Sequence, residues 1–183
     1  MQWNLVGQDG VALAAADPNG LLVAFVPTAS ADTDVSGSLL DTFGTGVGEI
    51  DWARSITSTL TDADATITSA KIYLTGYNRA NVLIQETLTH AVAGVVESNY
   101  AFWIITSVIY HVDGVVTPAI DTLELGWGDK LGLPTSISVA TEIRTKRADA
   151  VIDAGTIDIA FQTWEPTGGN VPNAAKQFYF ETY

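Results

Sequence analysis

The sequence predicts an all-β fold, an antiparallel β-sandwich or jelly-roll-like barrel of about ten strands with an extended N-terminal arm. Three observations predict it. Apolar and β-branched residues recur with period two along much of the chain. No window carries a helical stripe with caps. Turn-forming clusters of Gly, Asp, Asn and Thr separate the alternating runs at short intervals.

Taken in order, the elements divide at residue 50. Residues 1–50 read as an N-terminal arm with a first strand at 21–26, and residues 51–183 as the sandwich domain. Segment 28–48 is rich in Thr, Ser, Asp and Gly and poor in large apolar residues, so it reads as an arm or strap with too little to bury alone. Gly44-Thr45-Gly46-Val47-Gly48 reads as a hinge, since no Lys-Ser/Thr follows to make a phosphate cradle. Further strands are expected at 55–60, 66–75, 82–88, 100–112, 120–126, 135–145, 150–162 and 177–183. Turns are expected at Thr61-Asp62-Ala63-Asp64, Gly76-Tyr77-Asn78-Arg79 and Thr167-Gly168-Gly169-Asn170, with a hairpin at Asp113-Gly114. Leu125 to Pro134, with Gly126, Gly128, Gly132 and Pro134, reads as a corner pinned to the core by Trp127, Leu131 and Leu133.

Composition narrows the function classes. A chain of 183 residues supports one domain that buries about 70% of its unfolded surface. With no cysteine it forms no disulfide and no thiolate metal site, which fits assembly in a reducing cytoplasm. The net charge of -13 comes from 21 acidic against 8 basic residues, so it reflects scarce lysine and arginine. That sign repels phosphate backbones, and the largest basic cluster is Arg144-Thr145-Lys146-Arg147, so nucleic acid is not an expected partner. Met1-Gln2-Trp3-Asn4 has no basic leader, and Asp17-Pro18-Asn19-Gly20 breaks the longest apolar stretch; neither a signal peptide nor a membrane span is expected.

Residues with catalytic or ligating chemistry are sparse. His90 and His111 stand apart from any ligand spacing and read as packing or surface histidines. Asp32/Asp34 and Asp62/Asp64 have the alternate spacing of calcium loops but lack the following glycine and glutamate, so Asx-type turns explain them. No Gly-x-Ser-x-Gly occurs, and carboxylate pairs for glycoside hydrolysis depend on separation in space. The expectation is a protein with no catalytic residue, cofactor or metal.

The aromatics stand out. Trp103, Trp127 and Trp164 lie in or beside expected strands, while Tyr100, Phe102, Phe161, Phe178, Tyr179, Phe180 and Tyr183 gather near strand ends and the C-terminus. They read as sandwich core, with subunit contact as the alternative. The candidates for such an interface are Trp3, Phe25, Trp127, Leu131, Leu133, Trp164, Phe178, Phe180 and Tyr183. Rings of both parities in 177–183 call for cover on both faces of that strand.

Read in succession, Arg54-Ser55-Ile56-Thr57, Ile72-Tyr73-Leu74-Thr75-Gly76-Tyr77-Asn78, Gln85-Glu86-Thr87-Leu88, Tyr100 to Val108, the Gly126–Pro134 segment and Gly155-Thr156-Ile157-Asp158 resemble small β-rich virion proteins of tailed bacteriophages. The likeness covers roughly residues 50–165, and Tyr77-Asn78-Arg79 departs from the aspartate and second glycine usual at that turn. The resemblance implies a non-enzymatic head decoration, or cement, protein. Its partner would be the major capsid protein, it would act as a homotrimer on the capsid surface, and it would assemble in the host cytoplasm. Alternatives are a tail, connector or fibre component, a jelly-roll capsid protein of a tailless virus, and a carbohydrate-binding β-sandwich using Trp127 or Trp164.

Overall fold

The computed structural model describes residues 2–6, 12–149 and 151–182, and the chain is all-β. A large antiparallel sheet has the strand order β11-β12-β8-β4-β7-β5-β6. Its members are β4 (Glu49–Thr61), β5 (Ile67–Tyr77), β6 (Leu83–His90), β7 (Gly94–Gly114), β8 (Thr122–Gly132), β11 (Thr156–Asp158) and β12 (Thr163–Glu165). Two N-terminal strands join the same sheet: β2 (Asp17–Phe25) pairs with β8, and β3 (Asp32–Asp34) pairs with β7. A smaller sheet has the order β1-β13-β9-β10, from β1 (Gln2–Val6), β9 (Ile143–Ala148), β10 (Val151–Ile152) and β13 (Phe178–Thr182).

The 21-residue β7 organises the large sheet. Its first half pairs with β4, from Leu60 opposite Gly94 to Glu49 opposite Ile104. Its second half pairs with β5, from Tyr77 opposite Ile104 to Ile67 opposite Gly114. With β3 opposite residues 109–111, one long strand thus carries three different neighbours. Register shifts in β4 beside Arg54, and in β5 at Thr75/Gly76, mark where the pairing breaks step.

Two cores lie against the large sheet. The first collects Leu21 and Leu22 from β2, Ile56 and Leu60 from β4, Ile72 and Leu74 from β5, Phe102, Val108 and Tyr110 from β7, and Leu125 and Trp127 from β8. The second collects Leu13, Trp52, Ala53, Ala101, Leu131, Leu133, Trp164, Phe178 and Phe180. Alternation is therefore strict where one face is wet, as over residues 70–77 of β5, and lost over residues 52–56 of β4, which are buried without a break.

Several expectations are corrected. Residues 126–132 form no corner: they run straight on in β8, and the chain leaves the sheet only after Gly132. The glycines there serve close approach, because a Cβ on Gly126 would lie 1.8 Å from the Asp17 carbonyl oxygen and one on Gly128 would lie 2.5 Å from Glu97 Oε1. Asp113-Gly114 makes no hairpin, since Val115 bonds instead to the Thr66 carbonyl and β7 is flanked by β3, β4 and β5. The strand expected at 135–145 is loop and a 3-10 turn (Ala140–Glu142) before β9, and that expected at 150–162 is divided into β10 and β11.

The boundary at residue 50 falls inside β4. Segment 28–48 contributes β3 and buries Val35 and Leu39 in the first core. The glycine-rich stretch is tied down, with Gly48 donating to the Leu40 carbonyl and its own carbonyl accepting from Ile105. Few apolar residues are enough here because the surrounding sheet supplies the partner surface.

Candidate functional site

Most residues expected at an interface have their surface taken up within the chain. Trp127, Leu131, Leu133, Trp164, Phe178 and Phe180 are all buried. Trp127 donates its indole N–H to the Ala15 carbonyl at 2.8 Å and packs on Phe43, which locks the ring between β2 and β8. Trp164 meets Phe178 and Phe180 edge-on at centroid distances of 5.7 and 5.0 Å. Phe25 is half-buried against Tyr110. Trp3 takes its place in β1 opposite Glu181, and Tyr183 lies outside the described residues. In 177–182 the buried rings share one parity, Phe178 and Phe180, while Tyr179 is half-buried and its hydroxyl bonds to Gln177.

The apolar side chains left in water lie elsewhere. Val82 and Leu83 stand at the start of β6 and Val92 just after its end; β6 ends the large sheet on one side and β11 on the other. Val151 and Ile152, both exposed, make up β10, which among the described residues ends the small sheet opposite β1. An unpaired strand edge presents its own N–H and C=O groups to a partner, and exposed valine and isoleucine add apolar area to that contact. Sequence reading passed over these residues because aromatic rings drew the attention, whereas the burial of those rings depends on tertiary packing.

A cleft of about 460 Å³ opens beside β8, lined by Thr57, Glu97, Asp129, Lys130 and Glu165 among others. Behind it sits Arg54, fully buried, whose Nε and Nη2 donate to the Gly128 carbonyl at 2.9 and 2.6 Å. Its Nη1 donates to the Ala14 carbonyl at 3.0 Å and reaches Asp51 at 3.4 Å. Burial pushes the Asp129 carboxyl above its usual range, with Arg54 pulling the other way and the Glu97 charge adding to the rise. Glu97 accepts from Ser55 Oγ at 2.5 Å and faces Lys130 Nζ at 3.4 Å. Two carboxylates in different environments form the pattern used for acid and base roles. Here both oxygens of Glu97 already answer to groups of the protein, and the network ties β4, β7 and β8 together.

Both histidines are structurally engaged. His90 is buried, its Nε2 lies 3.1 Å from Ser58 Oγ, and burial lowers its pKa to about 4. His111 lies between Asp32 (Nδ1, 2.7 Å) and Asp113 (Nε2, 3.2 Å), and hydrogen bonds to these carboxylates raise its pKa. Ser69 donates to Asp113, so the order is Ser–Asp–His–Asp and the hydroxyl meets a carboxylate rather than an imidazole nitrogen. Each ring nitrogen of His111 faces an acceptor, which suits an imidazolium and leaves no lone pair for a base.

Arg79, in the β5–β6 turn, places its guanidinium 4.8 Å from the Trp52 ring and 4.5 Å from the Trp103 ring. That contact occupies Trp103 within the chain. Comparison of the chain with known protein families, curated proteins and solved structures found no match.

Proposed function

We propose that this chain is a non-enzymatic structural component of a virus particle, decorating the capsid shell and stabilising it through several simultaneous contacts with coat subunits. The observation that carries the reading is that, among the described residues, two of the four strands ending the sheet orders, β6 and β10, are edges flanked or built by exposed Val82, Leu83, Val92, Val151 and Ile152. Such edges suit contact with other chains. Weak contacts made at several subunits at once add up to strong avidity. The resemblance over residues 50–165 supplies the setting; of its segments, Arg54 to Thr57 lies within β4, Thr75-Gly76 within β5 where a turn was expected, and Glu86-Thr87 within β6.

The carbohydrate-binding alternative loses the rings it named, because Trp127 and Trp164 are buried and offer no face to a sugar. A tail, connector or fibre position keeps the same contact chemistry at a different place in the particle. Mixing purified protein with expanded capsids tests the proposal. Saturable binding at a fixed copy number, with a raised disruption temperature, supports it; no binding at saturating protein overturns it.

A further inference from the structure

The loop joining β4 to β5 and the loop joining β7 to β8 meet at one end of the large sheet, where Thr61 pairs with Thr122 and Ile67 with Gly114. There Asp62, Asp64 and Asp121 each bring one carboxylate oxygen to within 4.8 Å of the others. Oxygens bound to one calcium ion at about 2.4 Å are separated by at most about twice that distance, so the spacing fits a shared ion.

Proximity of acids alone would say little. The independent observation is Asp121. It is 0% exposed, its Oδ2 accepts the Thr117 amide at 2.7 Å, and its Oδ1 is sealed from solvent with no hydrogen-bond partner. A buried carboxylate oxygen without a donor is costly unless a cation meets it. Among the described residues, none of the three carboxylates has an ion-pair partner.

The neighbouring groups pre-arrange the site. Asp62 accepts from the Thr66 and Ile67 amides at 3.1 and 3.2 Å, which fixes its carboxylate. Asp64 accepts from Thr66 Oγ1 and Thr117 Oγ1, both at 2.7 Å, which fixes its carboxylate beside the other two. Thr66 Oγ1 also lies 2.8 Å from the Val115 carbonyl, and one hydroxyl proton cannot serve both acceptors.

We propose that Asp62, Asp64 and Asp121 bind a calcium ion that clasps these two loops. All ligands are hard oxygens, and loop carbonyls and water are suited to completing a flexible shell of six to eight, which favours calcium over the smaller, stricter magnesium. The site differs from a calcium-binding helix–loop–helix: its ligands come from loops 55 or more residues apart, which is why Asp62/Asp64 read as a simple turn in sequence.

The test uses the full chain, stripped with chelator and titrated with calcium chloride by calorimetry and thermal melting. The expected result is one calcium per chain with a melting temperature that rises as calcium passes about 1 mM or below. Asp121→Asn keeps the shape and an acceptor for the Thr117 amide but removes the charge; it is expected to weaken calcium binding by at least about tenfold. Asp64→Asn, in an exposed loop, is expected to do the same and serves if the buried variant does not fold. A melting temperature indifferent to millimolar calcium, unaltered affinity in a folded variant, or an equal response to magnesium would overturn the proposal.

Discussion

Arg54 and His90 carry opposite kinds of buried polarity. Arg54 is a permanent charge, and its removal takes the side-chain donors from the Gly128 and Ala14 carbonyls and leaves the Asp51 carboxylate with only the Ala14 and Trp52 amides and no counter-charge. Arg54→Met is expected to cost about 3–5 kcal/mol, read as a drop in urea midpoint. His90 is held neutral by burial. Its folded pKa of about 4 lies below the unfolded value near 6.5, so the unfolded chain binds the extra proton between these pH values. The His90 contribution to stability therefore falls as pH drops from 6.5 towards 4, by up to about 3 kcal/mol, and is constant above that range. His90→Gln is expected to flatten that slope in denaturation curves taken at pH 7 and 5; an unchanged slope would refute the assignment. His111 works the other way: its raised pKa adds stability at low pH that fades as pH rises through the folded value. Burial alone would raise the Asp153 carboxyl, yet bonds from Asn170, Gly155 and Thr167 outweigh it and hold the group below its usual range.

At the scale of elements, β8 joins the halves of the large sheet, with β4 along one side and β2 and β12 on the other. Gly126 is the contact point with β2, and Gly126→Ala drives a methyl group into the Asp17 carbonyl. The expected cost is about 1–3 kcal/mol, with amide exchange rising first in β2. Uniform loss of protection across the sheet would contradict this. The long strands were legible in the sequence because period two survives where one face is wet: β5 and β6 match their expected spans to within two residues, and β7 contains the expected 100–112 but begins six residues earlier. The two- and three-residue strands β3, β10, β11 and β12 were not, since so few residues hold no period. Gly126, Gly128 and Gly132 read as a corner because local sequence does not distinguish a glycine needed for a turn from one needed for close approach. For the same reason Asp62 and Asp64 gave no hint of Asp121, whose place beside them depends on β7 and β8 bringing two loops together.

In the whole molecule, the N-terminal segment belongs to the fold. The sequence reads residues 51–183 as the sandwich domain and 1–50 as an arm with a first strand, whereas β2 and β3 complete the large sheet and Leu21, Leu22, Val35 and Leu39 fill its core. Deletion of residues 1–48 is now expected to abolish cooperative unfolding in urea, and a truncated chain with a sharp transition near the full-length midpoint would refute that. Among the described residues, the sheet edges that carry exposed valine, leucine and isoleucine include β6 and β10. The account therefore rests on contact with other chains, and the most direct test is a map of the virus particle with this chain located in it. The account predicts density for the whole β-domain on the outer capsid surface, at threefold positions, with sheet edges against coat subunits. A particle whose shell lacks this chain, while the protein stays solitary in solution, would contradict it.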